Sequence, residues 1–166
     1  MMKTPFEALA IREGIKPQTG GSARSGDYVS LRGYSGCMIM VQIAQGAANT
    51  TALTVDKATA VAGTNESTGI TLNNWWKLED TPTSTANYTK GASAASITTS
   101  ATGSGSSVYV IDVKAEELGA AVSDGTPYDC IQLEAGSSSA SNVLSATYVL
   151  YGARYAQQTP FPSITD

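Results

Sequence analysis

The chain has 166 residues, of which Ser, Thr, Ala and Gly supply 78, and only 14% are charged, against about 25% in an ordinary globular domain. Histidine is absent and there are two cysteines, which excludes Ser-His-Asp and Cys-His catalysis, His-ligated metals, and four-thiolate zinc or iron–sulfur sites. A net charge of −4 and a pI near 4.7 leave no basic footprint for nucleic acid, and no apolar run approaches the ~20 residues that span a bilayer.

The first 27 residues read as an arm ahead of a domain. Thr4, Pro5 and Glu7 make a helix-start pattern, and Gly14 is a natural stop. This predicts a short helix from Pro5 to Glu13 carrying Phe6, Leu9 and Ile11. Residues 16–26, rich in Gly and Ser, have no period and read as a linker. A docking arm and a disordered leader both fit these residues. The start also lacks the apolar stretch of a secretory signal, so assembly in a reducing cytosol, with Cys37 and Cys130 as free, buried thiols, is expected.

From Asp27 onward the signals are strands. Tyr28 to Arg32 leads into a turn at residues 33–36, and Cys37 to Ile43 is the most apolar segment, with Cys37, Ile39, Val41 and Ile43 as its core face. Ala52 to Val61 and Trp75 to Glu79 follow as strands. Residues 91–107 are almost entirely small and polar and hold one weak strand around Ile97. Val108 to Lys114 is a strand with Tyr109, Ile111 and Val113 inward, and residues 115–119 make at most one helical turn. Tyr128–Ala135 and Val143–Tyr155, flanking a Ser-rich stretch, read as a long hairpin. The total is about eight strands in an all-β domain over residues 28–156, followed by a C-terminal tail at 157–166. A jelly-roll-like antiparallel β-sandwich is the expected architecture.

Chemistry is sparse in this pattern. Glu116, Glu117, Asp124 and Asp129 are the available carboxylates, but glycoside hydrolysis needs two of them facing across a cleft, and the alternation of a calcium loop is missing. No catalytic residue, cofactor or metal is expected. Trp75 and Trp76 invite a sugar-binding reading. Neighbours on a strand point to opposite faces, however, so one indole is expected in the core and the other at an edge or subunit contact.

Three stretches, Val55–Thr64, Tyr109–Val113 and Tyr148–Tyr155, with the ending Pro162-Ser163-Ile164-Thr165-Asp166, resemble small virion structural proteins of tailed bacteriophages. Within these, the likeness is to the head decoration, or cement, proteins with a jelly-roll-like sandwich. The resemblance implies a noncatalytic protein on the capsid exterior, bound to the major capsid protein lattice and self-associated, with a trimer favoured, and contacting neither nucleic acid nor membrane. A tail or head-fibre component, or a carbohydrate-binding module, are the alternative readings. Phe6, Leu9 and Ile11 on the arm, and Phe161, Pro162 and Ile164 on the tail, are apolar residues in segments too short to form a core. With Trp75 and Trp76 they are the candidate capsid or subunit contacts, each large side chain gaining about 1.5–3 kcal/mol on full burial.

Overall fold

The computed structural model describes residues 9–80, 87–101, 105–119 and 125–153. Among these residues eleven strands are laid down in chain order: β1 (Ala10–Thr19), β2 (Arg24–Ser25), β3 (Val29–Ser30), β4 (Gly36–Gln45), β5 (Ala52–Ala58), β6 (Asn74–Asp80), β7 (Thr89–Lys90), β8 (Ile97–Thr98), β9 (Gly105–Lys114), β10 (Cys130–Ala135) and β11 (Val143–Tyr151). One turn of 3-10 helix, Ala115–Leu118, follows β9. Every pairing is antiparallel.

The strands form two sheets. A six-stranded sheet runs β1-β11-β4-β9-β6-β7, and a second runs β2-β10-β5-β8, with β3 continuing the line of β2 along β10. If β2 and β3 are taken as one interrupted strand and the β6–β7 hairpin as an insertion, eight strands remain, four in each sheet. Their order is that of the two-Greek-key jelly roll. The hairpin extends the first sheet beyond β9.

Period-2 alternation places the core. Cys37, Ile39, Val41 and Ile43 of β4, Tyr109, Ile111 and Val113 of β9, and Leu144, Ala146, Tyr148 and Leu150 of β11 all point inward and are buried. They meet Leu53 and Val55 of β5 and Ile131, Leu133 and Ala135 of β10. Two fully buried tyrosines carry their hydroxyls to partners: Tyr148 accepts from the Leu133 N–H and Tyr109 from the Ser100 N–H.

Three sequence expectations are corrected. The predicted helix over residues 5–13 is extended chain where it can be described, because Ala10–Thr19 is β1 and pairs with β11 along its length. An isolated helix of nine residues is marginal, whereas the β11 ladder satisfies the backbone and buries Ala10 and Ile15. The arm therefore does not end at residue 27: the linker supplies β2, and residues 10–27 belong to the sandwich. Finally, β10 and β11 are not a hairpin. Each puts its alternate apolar residues into the same interior from opposite sheets, so residues 136–142 cross between layers instead of turning within one.

Candidate functional site

The residues singled out above are separated by the fold. Trp75, opposite Ile111 in the ladder, turns inward and packs against the core, its Nε1 donating to the Ala92 carbonyl at 2.8 Å. Trp76, opposite Val110, lies on the outer face of the six-stranded sheet. The two indoles therefore form no shared platform. Ile11 projects from β1 onto the same outer face as Trp76 and is 47% exposed, and Leu9, just ahead of β1, is half-buried. Phe6, Phe161, Pro162 and Ile164 lie outside the described residues.

What joins Ile11 to Trp76 is a continuous apolar surface that the alternation argument did not single out. Met38 and Met40 of β4, Val108 and Val110 of β9, Leu78 of β6 and Val149 of β11 all face outward between them. One ladder row crosses the whole sheet as Glu13, Thr147, Met40, Val110, Trp76 and Lys90. The signal was present in the sequence: Cys37–Val41 and Val108–Ile111 are apolar on both faces, whereas an antiparallel strand with one face in water alternates. Toward the Val143 end this surface dips into a groove of about 500 Å³ floored by Gln42, Ala44, Ser106, Val108, Val143 and Ser145. Small side chains make the dip, and no lining residue is titratable. The groove can receive a side chain or a strand, and its lining places no acid or base beside Ser106, Ser107 or Ser145 to activate a hydroxyl.

The polar groups elsewhere fasten one element to another. Glu79 accepts from the Ser100 hydroxyl, from Lys77 Nζ at 3.0 Å and from the Tyr109 hydroxyl at 3.5 Å. The Ser100 hydrogen bond is the largest influence holding its carboxyl below the usual range, with the Lys77 charge adding to it. This cluster ties the inserted β6 to the segment entering β9. On the second sheet, Asp56 is 1% exposed beneath the 59–69 loop, its Oδ1 accepting the Gly69 N–H at 2.7 Å. Burial raises its pKa, with Glu134 and Glu66 pushing the same way and the Gly69 bond opposing.

The carboxylates considered for catalysis do not converge. Glu117 Oε2 accepts the Lys114 N–H at 3.0 Å and so caps its own helical turn, while Glu116 is 3.9 Å from Lys114 Nζ. Asp129 accepts the Cys130 thiol hydrogen at 3.1 Å, and Asp124 lies outside the described residues. Among the described residues no three His, Cys, Asp or Glu side chains gather as a metal would require, and no helix is long and apolar enough to cross a membrane.

Neither a protein-family model nor a curated protein matches the chain. Among solved structures it is similar to the SPBc2 prophage-derived protein YomS, with a TM-score of 0.46 and 8% sequence identity, over 86% of this chain and 91% of that one.

Proposed function

We propose that this protein is a noncatalytic structural component of a tailed-phage virion that binds the outer surface of the capsid and strengthens contacts between coat subunits. The observation that carries the contact role is the outer face of the six-stranded sheet, apolar around Met38, Met40, Val108, Val110 and Trp76 and dipping toward Val143 into a groove whose lining holds no titratable group. Surfaces of this kind mark protein–protein contacts. The capsid as the setting rests on the resemblance of Val55–Thr64, Tyr109–Val113 and Tyr148–Tyr155 to decoration proteins. In this reading the sandwich is a rigid body, and the apolar residues near the chain ends, Phe6, Leu9, Phe161 and Ile164, reach adjacent coat subunits. Many copies then stiffen the shell by avidity.

Mixing the purified chain with undecorated heads and imaging them by electron microscopy tests the proposal. Regular added density on the head surface is the expected result. In whole virions, density confined to the tail would replace the head assignment with the tail or head-fibre reading. Glycan binding lost on Trp76→Ala with the fold intact would favour the carbohydrate-binding reading instead.

A further inference from the structure

We infer that two copies of this chain pair through the outer faces of their six-stranded sheets, stacked about a two-fold axis that runs parallel to the strands between them. Two arguments select a second copy as the occupant of this face. The first is charge. The ladder row that crosses the sheet begins with an acid, Glu13, at the β1 edge, ends with a base, Lys90, at the β7 edge, and holds Thr147, Met40, Val110 and Trp76 between them. Glu13 and Lys90 are both exposed, and Lys90 Nζ stands 5.7 Å from the Trp76 ring centroid, confirming that it shares the outer face. A half-turn about an axis along the strands lays the β1 edge of one copy over the β7 edge of the other at the same height. Glu13 of each copy then meets Lys90 of the other, Met40 meets Val110, and Thr147 meets Trp76. Along this row the face is its own complement, as an isologous contact requires; in the next row Asp112, whose carboxylate accepts from the Tyr151 hydroxyl at 2.6 Å, comes to lie over Met38.

The second argument is size. Five strands, β1, β11, β4, β9 and β6, spaced ~4.8 Å apart and used over most of their length, make a plane of roughly 600–700 Å². That is close to the ~800 Å² each partner contributes to a standard stable interface. Aligned stacking of two sheets ~10 Å apart is also the ordinary way such faces bury themselves.

The other surfaces are poorly suited to self-association. β1 is interrupted by register shifts between Glu13 and Ile15 and between Ile15 and Gln18, and it contains Pro17. The edge strands β2, β7 and β8 have two residues each, so strand addition has little to hold. The outer face of the second sheet is crossed by the 59–69 loop, which bonds to Lys57 and Asp56. It carries Asp56 and Glu134, with Glu66 close by on that loop, and would repel its like. A three-fold ring requires two different complementary patches, so this face yields a two-fold pair in place of the trimer that the resemblance implies.

Sedimentation equilibrium of the full chain across concentration decides the matter. Wild type is expected to show twice the 17.1 kDa chain mass. Glu13→Lys and Lys90→Glu, each placing like charges together twice per pair, are expected to weaken association by about tenfold. The double variant, with the charges exchanged, is expected to return to within about threefold of wild type, and Met40→Lys to give monomers. Circular dichroism establishes that each variant is folded, since Glu13 and Lys90 are exposed and Met40 faces outward. A wild type that stays monomeric to roughly 100 µM, a trimer mass, or a double variant no better than the single ones would overturn the inference. Pairing that emerges only after residues 154–166 are removed would overturn it too, by showing the chain's own end on this face.

Discussion

The hydroxyl of Tyr148 crosses the interior of the sandwich to accept the backbone N–H of Leu133 at 2.8 Å. Tyr148 stands on β11 and Leu133 on β10, strands of opposite sheets, and both residues are fully buried. The bond fills the gap between β2 and β3, where the Leu133 N–H has no strand neighbour to receive it. Gly26 makes room, because a Cβ there would lie 2.7 Å from the hydroxyl. Tyr148→Phe removes one oxygen and leaves a buried donor unpaired, at a cost of about 1–3 kcal/mol. Thermal denaturation should show Tm falling by several degrees, at about 2–4 °C per kcal/mol for a chain of this size. An unchanged Tm would mean that the Leu133 N–H finds another acceptor.

A second tight fit concerns Gly91. The Trp75 indole lies directly on this residue, whose N–H donates to the Trp75 carbonyl at 3.0 Å, and a Cβ at position 91 would overlap the ring. Gly91→Ala must therefore displace the indole. In a Trp76→Phe background, where Trp75 is the sole tryptophan, emission excited selectively from tryptophan should shift to the red. Stability should fall by about 1–3 kcal/mol, as for other overpacked sites.

Two carboxylates give opposite pH signatures. Glu79 is held below its ordinary range by Ser100 first and Lys77 next. Its contribution is fully present above the unfolded carboxylate pKa of about 4.3 and is lost as pH falls through the lower folded value. The stability gap between wild type and Ser100→Ala should therefore be widest near neutrality and close in acid. Asp56 is raised by burial, so its ionisation in the fold costs stability as pH rises through the raised value. Asp56→Asn keeps an acceptor for Gly69 and removes the charge. It should be more stable than wild type at pH 7, with the advantage shrinking toward pH 3 in chemical denaturation series.

The thiols should be silent in the folded protein. Cys37 lies on the inner face of β4 and Cys130 on the outer side of β10, against Tyr28 and Ala58. They sit on opposite sides of the second sheet and are free. Burial pushes each thiol up to about 12, so almost no thiolate exists at neutral pH. A thiol-reactive disulfide reagent should modify neither cysteine in native buffer and both in denaturant.

Truncation separates arm from sandwich. Deleting residues 1–8 leaves β1 whole and should give a folded protein with weaker attachment to undecorated heads. Deleting residues 1–26 removes β1 and β2, exposes the edge of β11 and uncovers Leu144, Ala146 and Tyr148, and should fail to fold cooperatively. Undiminished head attachment of the shorter deletion would place the capsid contact elsewhere.

Legibility from sequence followed the range of the interactions. The inward faces of β4, β9 and β11 could be read because period-2 alternation is local. β1 could not: Thr4, Pro5 and Glu7 carry a local helix signal, and only the distant Leu150–Val143 ladder makes Ala10–Thr19 a strand. The assignment of β10 and β11 to different sheets was equally hidden, since alternation shows which residues face a core but not from which side. The outer face was half visible: the apolar Met38, Met40, Val108 and Val110 stand in the sequence, and the row from Glu13 to Lys90 needed the strand order.

The pairing of Ala10 with Leu150 has a mechanical consequence. β1 and β11 are antiparallel neighbours, so the segments before residue 10 and after residue 151 begin at the same end of one strand pair. Tension applied between those segments loads the ladder rung by rung, a geometry in which hydrogen bonds open singly and little force is resisted. Tension applied to both in the same direction is shared, and is carried through β11 into β4 and the centre of the sheet. The domain would be yielding when its ends are drawn apart and stiff when they pull together.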